Sequence, residues 1–265
     1  MISTSQRNLF GLAALLFAGS ASVTVVWCGS MASMGGMSMP GGWTMSMAWM
    51  RMPGQSWSGA AVAFLGMWIV MMVAMMLPSL VPMLWRYRRA LGGGGGRVTE
   101  ARAGGLTALV GAAYFLVWTA FGVIAFPLGV ALATLTMQLP LLARGVPMAV
   151  GAVVVIAGAL QFSAWKARHL ACCRGSTGHS RALAPDVGTA WRHGLRLGLH
   201  CTYCCAGLTS VLLVIGVMDL RAMAVVTAAI TLERLAPAGQ RVARIIGIVV
   251  VAAGLYLIAR GAGVG

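Results

Sequence analysis

Carboxylates are almost missing from this sequence: among 265 residues only Glu100, Asp186, Asp219 and Glu233 are acidic. None lies near the cysteine or methionine clusters in sequence, so Mg²⁺ and Ca²⁺, which require oxygen cages, are poorly served. Charge of either sign is scarce, at 9% of residues against 60% hydrophobic, with a mean hydropathy of +0.89. That composition excludes a water-soluble globule and calls for lipid as the solvent. The GxxxxGK[ST] pattern is absent, so GGGGG at 92–96 reads as a flexible linker rather than a phosphate cradle. No repeat of fixed period and no transporter-like pseudo-symmetry is evident.

What is present is a series of long apolar runs. About 20 such residues cross a hydrocarbon core, and lipid cannot satisfy unpaired backbone groups, which leaves helices as the spanning element. The fold expected is therefore all-α, a polytopic membrane helix bundle with about seven (six to seven) transmembrane helices. Spans are placed near 8–28, 58–84, 104–128, 146–165, 195–218, 220–235 and 245–259. The organisation expected is an N-terminal helix and Met-rich extracytoplasmic loop (1–57), a helix bundle (58–235) and a C-terminal helix (236–265). With the N-terminus inside, 15 of the 19 Lys and Arg fall on the cytoplasmic side, as the positive-inside rule requires. The net charge of +15 is then topological. It implies contact with lipid headgroups rather than nucleic acid. Alternatively, the first span is a signal peptide, because Arg7 precedes an apolar run followed by AGSAS.

Two motifs break the apolar monotony. HCTYCC, residues 200–205, places His200, Cys201, Cys204 and Cys205 at 0°, 100°, 40° and 140° around a helix, all on one face. MWIVMMVAMMLPS, residues 67–79, sets Met71 and Met75 in one i,i+4 stripe with Met67, and Met72 and Met76 in an adjacent one. Both sets lie at similar depth, so they are expected to face each other. Thiolate with thioether favours Cu(I). Further soft donors flank the membrane: His169, Cys172 and Cys173 on the inside, and eight methionines from Met31 to Met52 outside, including Met34, Met37 and Met39. Cys28 reads as packing. The inside loop 169–194 reads as solvated connection, and Glu233 with Arg234 as a local pair or interface anchor.

MWIVMMVAMMLPSLVPM, GALQFSAWKARHLACCRG and GLRLGLHCTYCCAGLTSVLLVIGVMDLRAM, followed by LER, resemble a bacterial family of predicted metal-binding integral membrane proteins. It is a domain family of unknown function sometimes labelled copper chaperone. The resemblance spans roughly 58–235 and maps the family's motif positions onto Met75, Met76, Pro78, Cys201, Cys204 and Cys205. LER stands where the family usually has EK. Eukaryotic copper transporters offer a looser analogy, with outside methionines, MxxxM in a span and cytosolic Cys/His.

The expected function is binding of Cu(I) for delivery or transport, with outside thioethers capturing, the membrane set holding, and His169, Cys172 and Cys173 exchanging with the cytosol. A copper donor or acceptor protein is the expected partner, and no catalytic residues are assigned. Two other readings stand beside it. One is a membrane thiol oxidoreductase using Cys201 and Cys204, although no thioredoxin-like strand pattern accompanies them. The other is an assembly subunit packing on partners through Gly194 and Gly198.

Overall fold

The computed structural model describes residues 4–33, 35–92, 98–174 and 184–263. Met34 and most of the GGGGG run lie outside them. The described residues form eight helices and one small hairpin: α1 (Thr4–Ser33), β1 (Met37–Met39), β2 (Trp43–Met45), α2 (Trp57–Gly92), α3 (Glu100–Gln138), α4 (Pro140–Leu160), α5 (Ala164–Arg174), α6 (Val187–Ile215), α7 (Leu220–Leu235) and α8 (Gly239–Gly261). Six of these, α1, α2, α3, α4, α6 and α8, are long and apolar enough to cross a membrane. The all-α multi-pass architecture is thus as expected, and α7 accounts for the difference between six spans and seven. Its 16 residues rise only about 24 Å. It nevertheless carries the chain from the hairpin end, where Met218 just before it touches Cys28 of α1, to the α5 end, where Glu233 meets Lys166.

Helix ends depart from the sequence boundaries in an instructive way. Helix α3 runs to Gln138 and α4 starts at Pro140, so the connection expected between 128 and 146 is almost entirely helical. Proline fits the first turn of a helix because its missing N–H would have had no partner there. Inside α2 and α3, Pro78, Pro82 and Pro127 are carried without ending the helix. The supposed solvated loop after α4 instead contains α5, which buries Lys166, Leu170 and Cys173. Its polar residues hid the inward stripe, because Lys166, Leu170 and Cys173 repeat at helical spacing among Arg and His.

Helix α2 packs against α1, α3 and α7, while α6 packs chiefly against α3, α4 and α5. Glycine makes the closest approaches possible. In the α4–α8 pair, a Cβ on Gly158 would lie 2.8 Å from Val251 N, and one on Gly254 would lie 2.7 Å from Val155 N. Gly194 and Gly198 seat α6 on α3, against Val110 and Tyr114. These two glycines are therefore engaged inside the chain.

Replacing Gly194 by Ala tests this seam. Helix propensity alone favours Ala by about 1 kcal/mol, but the new Cβ would lie 2.5 Å from the Val110 carbonyl oxygen and 2.7 Å from Ala113 Cβ. Overpacking of this kind costs about 1–3 kcal/mol, so thermal unfolding in detergent should show a lower midpoint for Gly194→Ala than for the parent chain.

Candidate metal centre

Local sequence explains the placement of the thiols. Asp186 caps α6 by accepting the Thr189 N–H at 2.8 Å, which fixes the start and phase of the helix. From that phase Cys201, Cys204 and Cys205 point inward, all at 2% exposure or less, while Tyr203 points out and His200 sits half-buried at the edge of the arc. The arc read from the sequence is real, with the histidine on its rim.

The sulfurs form a row. Cys201 Sγ lies 3.9 Å from Cys205 Sγ, and Cys204 and Cys173 of α5 lie buried in the same core. The neighbouring Cys204, together with burial, raises the Cys173 thiol well above its usual range. A metal taken up there must displace a proton. Among the described residues no three His, Cys, Asp or Glu side chains converge as a ready-made cage. The donor set is a chain of adjacent pairs.

Fixed cations hold this row. Tyr114 of α3 donates its O–H to Cys201 Sγ at 2.9 Å. Arg234 of α7 reaches the same sulfur at 3.2 Å through Nη1, which also donates to Ser79 Oγ of α2 at 2.7 Å. Its Nη2 approaches Met83 Sδ at 3.6 Å. Lys166 Nζ donates to the Cys204 carbonyl at 2.7 Å and to Glu233 Oε2 at 2.6 Å, with side chains 4% and 1% exposed. Glu233 Oε1 has no hydrogen-bond partner although the Gln161 amide is close to it.

The expectation for Glu233 and Arg234 is thus corrected. They are neither a local pair nor an interface anchor: they point to different partners and stand within the thiol cluster. Lys166 and Tyr114, absent from the sequence-derived set, belong there too. A lone lysine beside an apolar run was the available signal for the first; nothing distinguished Tyr114 from other aromatics in spans.

Met71, Met72, Met75 and Met76 are all buried, at 3% exposure or less, in the same core as the thiols. Met75, Ser79 and Met83 succeed one another at i,i+4 on α2, and Arg234 bridges from that stripe to Cys201. The two motifs therefore meet through a guanidinium. His200 lies 3.3 Å from His169, Nδ1 to Nδ1. Cys172 is half-buried beside Cys173.

The methionines of the hairpin lie far from this cluster. Met37 and Met39 are in the hairpin, Met37 opposite Met45, and Met31 is half-buried near the end of α1. Met39 and Met45 pack on Ala133 and Ala143, and Trp43 Nε1 donates to the Ala143 carbonyl at 2.8 Å. Ala133 follows Tyr114 by 19 residues on α3, about 28 Å along its axis.

A multi-pass helical membrane protein with a buried row of soft donors is the class these features define. The chain belongs to the PpoB2 family, described as copper chaperone, whose profile matches residues 65–257. The match takes in the α2 methionines and every cysteine except Cys28, and extends through most of α8. No curated protein and no solved structure matches.

The Lys166–Glu233 pair is the most exposed to test. Removing one partner of a buried ion pair costs about 3–5 kcal/mol because the other charge is stranded. Glu233→Gln should therefore lower the unfolding midpoint more than the double variant Lys166→Met/Glu233→Leu, a comparison made by thermal unfolding in detergent.

Proposed function

We propose that this protein binds Cu(I) inside the membrane and passes it on, as a chaperone or a transporter. The observation that carries the reading is the buried sulfur row, above all the 3.9 Å separation of Cys201 and Cys205. Two sulfurs each about 2.3 Å from one ion stand about 4 Å apart in a trigonal arrangement. The donors are Cys173, Cys201, Cys204 and Cys205, with Met71, Met72, Met75 and Met76 as the adjoining thioethers. Soft ligands of this kind select a soft monovalent ion, and carboxylate is confined to Glu233, which is engaged by Lys166.

The chain's own groups prepare the site. Arg234 and Tyr114 stabilise negative charge on Cys201, so a thiolate there is supported before the ion arrives. Lys166 fixes the backbone at Cys204. The family description supports copper as cargo. The protein is proposed to lie in the bacterial inner membrane with its N-terminus inside, exchanging copper with a donor or acceptor protein, while Met31, Met34, Met37 and Met39 capture metal on the outside.

The thiol oxidoreductase reading is less well supported. Cys201 Sγ lies 3.9 Å from Cys205 Sγ, one turn on, which is not the partner a CxxC redox pair uses. All six cysteines are free.

Protein purified anaerobically in detergent should bind Cu(I) or Ag(I) in preference to Zn²⁺, with sulfur scatterers dominating the X-ray absorption spectrum. Zn²⁺ displacing Cu(I) under reducing conditions would disprove the reading. Cys204→Ser/Cys205→Ser should abolish most binding. Met75→Leu/Met76→Leu preserves volume, so any loss of affinity reports the thioethers. Strong non-additivity of the two pairs in a double-mutant cycle would mark a shared ion.

A further inference from the structure

Helices α5 and α6 share more than one donor pair. His169 faces His200 at 3.3 Å, and Cys173 lies beside Cys204 in the buried core. The second pair follows the first by four residues on both helices, one turn in each case. The pairs differ in burial: both histidines are half-buried, whereas Cys173 and Cys204 are 0% and 2% exposed. His169 is also flanked by Trp165 and Tyr203, with ring centroids at 4.8 and 5.3 Å.

We propose that His169 and His200 form a separate loading station for Cu(I), from which the ion steps to Cys173 and Cys204 and then along the row to Cys205 and Cys201. The inference rests on the copper-binding reading and adds an order of events to it. Imidazole accepts many first-row ions, while thiolate selects Cu(I). The step from nitrogen to sulfur is therefore downhill for copper and weaker for its competitors. It is a ligand exchange without redox change: a Cu–N bond breaks, a Cu–S bond forms, copper stays monovalent, and the thiol proton passes to the vacated imidazole or to water. The half-buried pair supplies the access that the fully buried thiols lack.

A simpler role for the pair is a hydrogen bond that pins α5 to α6. The replacements His169→Asn and His200→Asn keep a hydrogen-bonding group near the Nδ1 position and remove the imidazole ligand, so they separate the two roles. Cu(I) would be supplied anaerobically as its acetonitrile complex and loading followed by stopped-flow absorbance of the copper–thiolate band. The station predicts at least a tenfold slower loading in each Asn variant. Final stoichiometry at one equivalent and the all-sulfur X-ray absorption spectrum should be unchanged, as should thermal unfolding of the metal-free protein. A second equivalent should add nitrogen scatterers in the parent chain and not in the variants. Unchanged loading rates would overturn the proposal, and so would a loss of final stoichiometry, which would place the histidines in the terminal site. Failure of the parent chain to bind Cu(I) at all would remove the copper reading itself, a result distinct from either.

Discussion

Everything near the centre of this molecule depends on two cations placed where water cannot reach them. Lys166 and Arg234 come from α5 and α7 and are 4% exposed each. Isolated, each would be prohibitively costly in this setting. Lys166 is answered by Glu233 and the Cys204 carbonyl, and Arg234 by Ser79, Cys201 and the edge of Met83. Those partners sit on α2, α6 and α7, so satisfying two charges ties α2, α5, α6 and α7 together. Lipid offers no hydrophobic drive for helices to associate. Polar ties and close glycine seams supply what the solvent does not.

The same ties set the chemistry. A guanidinium does not lose its charge at any physiological pH, so Cys201 always has a cation 3.2 Å away. Arg234 thus gives this chain a planar fork able to touch α2 and α6 at once. Lysine has no such fork. This residue joins the methionine stripe of α2 to the thiol row of α6, and a metal shared between them would have to settle beside it.

Much of the bundle was legible because membrane helices advertise themselves by length, as in Trp57–Gly92, although the first two turns of α6 fell within the stretch read as loop. The cysteine arc was equally plain, since 100° per residue fixes which of residues 200–205 share a face. Legibility failed where meaning depends on contacts distant in sequence. Lys166 and Glu233 are 67 positions apart and each looks like an ordinary end-of-helix charge until the fold brings them together. Helix α5 was misread because a short amphipathic helix rich in Arg and His resembles a loop in composition. Gly194 and Gly198 were rightly seen as a packing surface, but sequence does not say whether the partner is another chain or α3. At Arg234 only the geometry gave the residue a role.

Lys166 is also the chain's only lysine, and it is sealed beneath α5 with its amine bound on two sides. Amine-directed reagents therefore find no reactive side chain on the folded protein beyond the terminus. Any lysine labelling that does appear is a clock for the lifting of α5 away from the thiol row. The molecule carries a single built-in reporter of its own opening, and it lies against the backbone of one of the cysteines that opening would uncover.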